Sequence, residues 1–272
     1  MPRRLGLSLV LLAALVSVPA AVGAGPAPFA ALGGPGVVSR DGNVRYLALR
    51  GATGTLLQAL NAHSGAVRRE RALPGVFGIP ILTYNGFGEG LSHDGRTLVL
   101  QTMNVKGPTT FRLVDTATLR TKQTIALRGA YSFDALSPGA ARLYLIQRVS
   151  REDIFRYVVR AYDLHSRRLL PGRIADKAQD SWVMQGYPAT RVTSGDGRWV
   201  YTLYTNPGGY PFIHALDTVA GVAHCVGLPW TATDQSPLTR AVLTLHARSL
   251  VASLKGRPWL SIDTATWRIS QR

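Results

Sequence analysis

One short pattern constrains this chain more than any other feature. An apolar residue, a hydroxyl and a glycine-bearing turn recur as Val38-Ser39-Arg40-Asp41-Gly42, Leu91-Ser92-His93-Asp94-Gly95, Leu136-Ser137-Pro138-Gly139 and Val192-Thr193-Ser194-Gly195-Asp196-Gly197. A worn fifth copy, Leu243-Thr244-Leu245-His246-Ala247, lacks the glycine. Each copy leads into a β-rich run such as Arg142-Leu143-Tyr144-Leu145-Ile146 or Trp199-Val200-Tyr201-Thr202-Leu203. A second turn then follows: Asn61-Ala62-His63-Ser64-Gly65, Asp115-Thr116-Ala117-Thr118, Asp163-Leu164-His165-Ser166, Asp217-Thr218-Val219-Ala220-Gly221 and Asp263-Thr264-Ala265-Thr266. Asp, Asn, Ser and Thr suit these places because their side chains bond turn amides.

Successive second turns lie 54, 48, 54 and 46 residues apart, the length of one four-stranded blade. Outside the N-terminus, no twelve-residue window free of Gly and Pro carries apolar residues at helical spacing. The expected fold is therefore all-β, a β-propeller of about five four-stranded blades over residues 36–272. The order of apolar strand, Ser-Pro or Asp-Gly turn, Leu- and Tyr-rich strand and Asp-x-x-Thr/Ser turn resembles the YVTN-type and WD-like propeller repeats of exported bacterial proteins. Those repeats usually build more blades than five, which leaves open whether the ring closes or a sixth, unrecognised unit completes it. The resemblance implies fold rather than activity, because propellers host binding proteins, enzymes and scaffolds alike.

The N-terminus reads as an export signal. Met1-Pro2-Arg3-Arg4 is basic, Leu5 to Val18 is almost wholly apolar, and Val22-Gly23-Ala24 offers small residues for cleavage. Residues 1–24 are thus expected to be removed, leaving no membrane-spanning segment, with an uncleaved anchor as the alternative. Residues 25–35, rich in Pro, Gly and Ala, read as a linker. The expected location is outside the cytoplasm, secreted or at the envelope. The single cysteine, Cys225, cannot close an internal disulfide and reads as an apolar filler. A net charge of +16 would attract an anionic envelope polymer. The arginines are dispersed, however, and no helix or loop concentrates them as specific nucleic-acid readers do.

Two groups of candidate site residues follow from the repeat. Glu89, Asp134 and Arg191 stand just before the apolar position of adjacent units, where first strands line a central channel. Two carboxylates there would suit Ca2+ or Mg2+, or acid–base chemistry of a lactonase- or lyase-like enzyme. The second group lies on the long loops of one face: Tyr84, Trp182, Tyr187, Tyr210 and Trp230. No nucleophile elbow, phosphate-binding glycine loop or zinc-peptidase motif is present, and the histidines are scattered. The sequence thus favours a non-catalytic binding or scaffolding module for a protein or envelope partner, with a cation-dependent enzyme as the alternative.

Overall fold

The recurrent turns are built by one hydrogen-bonding device. Ser39, Ser92 and Ser194 each donate from Oγ to the aspartate two residues on and accept the amide five residues on, Val44, Thr97 and Trp199. Ser137, with no aspartate to follow it, keeps the second bond, from the Arg142 amide at 2.9 Å, and also accepts the Ala141 amide at 3.0 Å. The second turns work similarly, with Asp115, Asp163, Asp217 and Asp263 each accepting backbone amides through Oδ1. These bonds draw Asp41 and Asp263 down to a pKa of about 2.

The computed structural model describes residues 29–84, 86, 88–103, 108–150, 152–153, 155–176 and 183–271. The chain enters through β1 (Phe29–Ala31) and builds a first antiparallel sheet from β2 (Val37–Val38), β3 (Val44–Arg50), β4 (Gly54–Asn61) and β5 (Val67–Pro74). The second sheet contains β6 (Phe77–Ile81), β7 (Thr97–Thr102), β8 (Thr109–Asp115) and β9 (Thr121–Leu127), with β1 on its inner edge. The third is β10 (Tyr131–Leu136), β11 (Arg142–Arg148), β12 (Arg156–Asp163) and β13 (Arg168–Leu169), and β14 (Met184–Gln185) also pairs with β12. The fourth is β15 (Tyr187–Thr193), β16 (Trp199–Thr205), β17 (Phe212–Asp217) and β18 (Val222–Gly227). The fifth is β19 (Val242–His246), β20 (Ser249–Leu254), β21 (Arg257–Asp263) and β22 (Ile269–Gln271). The fold is a β-propeller of five blades.

Side chains alternate across each strand, so every inner blade shows one face to its predecessor and one to its successor. Four hydrophobic clusters fill the seams between consecutive blades. No equivalent cluster joins the fifth blade to the first among the described residues. The free face of the first blade carries Arg45 beside Leu47, and that of the fifth carries Thr244 and Ser253, all partly exposed. Blades are also stitched across seams. Tyr144 donates to the Thr218 carbonyl at 2.8 Å. Thr55 and Thr109 each bond the first residue of the next blade, Phe77 and Tyr131, through both its amide and its carbonyl.

One expectation is corrected. Within the stretch read as a linker, Phe29–Ala31 pair with Ile81, Pro80 and Ile79 of β6. The small residues that suggest a linker are also what a crowded axis admits: a Cβ on Gly78 would sit 2.6 Å from the Ala31 carbonyl oxygen. Residues 1–28, which include the expected signal, lie outside the described residues. No described helix is long and apolar enough to cross a membrane.

Candidate functional site

The segment between β6 and β7 of blade two and the first strands of blades three and four bring Glu89, Asp134 and Arg191 together. Asp134 sits in a β-bulge, where the register slips between Phe133 and Ala135, so its backbone carbonyl is released from the ladder. Arg191 takes up that carbonyl, donating from Nη1 at 2.9 Å, while its Nη2 lies 3.5 Å from Asp134 Oδ1. Arg191 Nε lies 3.9 Å from Glu89 Oε1. The side chains of Arg191 and Asp134 are only 6% and 4% exposed. Glu89 keeps about a third of its side chain open, and desolvation raises its pKa against the pull of Arg191.

These residues floor an axial cavity of about 500 Å³. Its rim is made by the first turns, including exposed Arg40 and half-buried His93, whose ring Nε2 lies 2.6 Å from Arg40 Nη1. The cavity thus belongs to the turn face, opposite the long loops. The guanidinium of Arg191 stands where two carboxylates alone would invite a divalent cation. Among the described residues no group of three or more His, Cys, Asp or Glu gathers as metal ligands.

From this floor a polar seam runs outward between blades three and four. His214 on β17 is 2% exposed, and burial drives its pKa down to about 4, so it is neutral at physiological pH. Its Nδ1 lies 3.6 Å from Cys225 Sγ, and the Cys225 amide donates to Asp176 Oδ2 at 2.9 Å. The Cys225 thiol is itself pushed up to about 12 by burial and stays protonated.

On the loop face, two of the aromatic candidates converge. Tyr84, from the segment inserted after β6, and Tyr187, opening β15, lie with ring centroids 6.1 Å apart, and Phe155 packs on Tyr187 at 4.2 Å. They border a cleft of about 370 Å³ with Pro207, Asp234 and Gln235. Gln235 fixes the cleft wall by accepting from the Asn206 amide and donating to the Asn206 and Gly209 carbonyls. The other candidates do not join them. Tyr210 is 72% exposed and borders a different hollow, with Leu228 and Pro229. Trp230 is a packing residue: it meets Trp259 edge-on at 5.3 Å and packs against the core between blades four and five. A tryptophan between strands finds apolar cover there that a loop tip lacks. Trp182 lies outside the described residues.

Two site residues escaped the sequence reading, and the repeat itself holds the signal for both. Arg45 lines the axial cavity at the strand position occupied by Leu98, Leu143 and Val200 in the next three blades. His214 stands three residues before its turn aspartate, as Arg112 and Arg160 do in their blades.

No family model matches the chain, and no curated protein matches it. Solved structures do. A functionally unknown protein from Desulfotomaculum acetoxidans matches with a TM-score of 0.50 and 11% identity over 87% of this chain and 67% of that one. The hydrazine synthase of Kuenenia stuttgartiensis matches at 0.47 and 15%, over 85% of this chain and 77% of that one. BamB from Moraxella catarrhalis matches at 0.42 and 16%, over 85% of this chain and 58% of its own. The chain spans about half to three-quarters of the length of such neighbours. Likeness at this identity reaches the fold and no further.

Proposed function

We propose that this chain is an exported propeller of the YVTN-like kind that works outside the cytoplasm as a non-catalytic binding or scaffolding module, holding a protein or anionic envelope partner on its long-loop face. The observation that carries the reading is the convergence of Tyr84 and Tyr187 from the second and fourth blades onto one cleft. Aromatic side chains with a polar tip give large contact area at low entropic cost, which suits recognition. Propeller loops held by a rigid scaffold are the usual place for it.

The test is retention on isolated cell envelopes, with a soluble polyanion as a second bait, at low and high salt. Retention that survives high salt and is lost in the Tyr84→Ala/Tyr187→Ala double variant supports the loop face. Retention that salt abolishes equally in both proteins reflects net charge alone and overturns it. A second reading, a lactonase- or lyase-like enzyme with a divalent cation, draws on the raised pKa of Glu89 in the axial cavity. Cation-dependent turnover lost in Glu89→Gln would favour that reading.

A further inference from the structure

The cleft bordered by Tyr84 and Tyr187 holds one carboxylate, Asp234, and no Lys, Arg or His among the described residues that line it. On a chain with 31 basic residues against 15 acidic ones, that is a local exception. Asp234 is placed there by its neighbour. Tyr187 pairs with Thr205 at the end of β16, and the next residue, Asn206, bonds the Gln235 side chain through its amide at 2.7 Å and its carbonyl at 3.0 Å. Asp234 accepts the Ser236 amide and hydroxyl at 2.8 and 2.9 Å, one on each oxygen, which lowers its pKa and keeps it ionised. Each oxygen retains a second acceptor site. Asp234 and Tyr84 are exposed and Tyr187 is half-buried, so all three are open to a ligand.

These features select the occupant by exclusion. An anion would meet the Asp234 carboxylate with no lining cation to offset the repulsion. A cation would have to approach a chain of net charge +16. A proline-rich segment would suit the rings, but prolines carry no N–H to give Asp234. A neutral polyol meets all three conditions. Its hydroxyls donate to the carboxylate and exchange hydrogen bonds with the phenol groups, while its C–H surface covers two rings inclined at 42° with centroids 6.1 Å apart. The volume, about 370 Å³, falls at the small end of ligand sites.

We propose that the loop-face cleft binds an uncharged saccharide, with one sugar ring on Tyr84 and Tyr187 and its hydroxyls donating to Asp234. The assignment rests on the reading that this face holds the partner, and it narrows the contact to a neutral glycan rather than to the anionic groups of an envelope polymer. No covalent bond changes.

Titration calorimetry of the full chain tests it, with cellotetraose, maltotetraose and chitotetraose as neutral probes and decaproline and tetralysine as controls. At least one tetrasaccharide is expected to bind saturably, with an affinity that high salt leaves unchanged. Tyr84→Ala should weaken it about tenfold. Asp234→Asn, which exchanges a charged acceptor for a neutral one, should weaken it about fivefold. Both positions are exposed, so both variants should keep the fold. Absence of binding by all three tetrasaccharides overturns the proposal, as does glycan binding that Tyr84→Ala leaves intact, which would place the sugar elsewhere. Binding of decaproline or tetralysine without any glycan would assign the cleft to a peptide and overturn it too. Envelope retention reads the loop-face reading separately. With no glycan bound but retention still lost in Tyr84→Ala/Tyr187→Ala, the loop face stands and the sugar falls; with glycan bound but retention unaffected by the double variant, the sugar stands and the envelope reading falls.

Discussion

The two faces of the fourth blade are made by the same strands and differ in kind. Toward the fifth blade it presents Ala189, Tyr201, Leu203, Ile213 and Ala215, which close on Leu250, Ala252, Leu260 and Ile262 in an apolar core. Toward the third it presents Val200, Tyr204, Phe212 and Leu216, but also His214 and, at the axis, Arg191. His214 and Leu260 occupy the same strand position, three residues before the turn aspartate, in adjacent blades. One seam is therefore a joint. The other threads ionisable groups from the axial cavity outward to Cys225 and Asp176, at the expense of burying groups that water would hold better.

The comparison breaks most easily from its apolar side. Leu260→Ala removes a side chain with no exposure from the core between blades four and five, and should cost about 2–5 kcal/mol in chemical denaturation. A loss below about 1 kcal/mol would mean that this seam is loose and that the contrast with its neighbour is overstated.

The polar seam should reveal itself by pH. His214 has a folded pKa of about 4 against 6.5 in the unfolded chain, so between those values the unfolded state binds the extra proton. Stability should rise with pH across that window and fall on acidification, by about 3 kcal/mol in all for this one group. His214→Leu, which copies the Leu260 arrangement, should flatten that part of the profile. An unchanged slope in the variant would assign the acid sensitivity to other groups.

How much of this was legible depends on what repeats. The turns announced themselves because each needs its own Ser, Asp or Thr, so blade boundaries and the gathering of Glu89, Asp134 and Arg191 could be read from equivalent positions. The bulge at Asp134 could not, since a register slip leaves no residue signature there, and it is the bulge that gives Arg191 a carbonyl to hold. Arg45 and His214 were visible only as deviations: a charge where aligned strands carry Leu or Val, and an imidazole where they carry arginine. Trp230 misled because an aromatic loop residue looks alike whether it faces a partner or Trp259. The β1 strand was hidden because Pro, Gly and Ala serve a tight axis as well as a linker.

A smaller effect is expected at the axial end of the polar seam. Glu89 has its pKa raised above 4.5 by desolvation, so its ionised form is the strained one in the fold. The sign is opposite to that of an ordinary salt-bridged carboxylate: its contribution improves as pH falls toward 4.5 and is lost as pH rises through the folded pKa. Glu89→Gln should therefore be neutral or stabilising at neutral pH, by under about 1 kcal/mol given the third of the side chain left open. A clear loss of stability would mean that the 3.9 Å approach to Arg191 outweighs desolvation.

The smallest expected effect concerns divalent cations. A cation at the axis would have to displace Arg191 from Asp134, breaking a 2.9 Å hydrogen bond to the carbonyl and a 3.5 Å contact to the carboxylate with a guanidinium that has almost no route to water. Calcium or magnesium should accordingly leave the melting midpoint within about a degree of the chelator-treated protein, since only a ligand well above its dissociation constant adds measurable stability. A rise of several degrees reversed by chelator would show that the two carboxylates do hold a metal, that Arg191 swings aside to admit it, and that the polar seam is a coordination site.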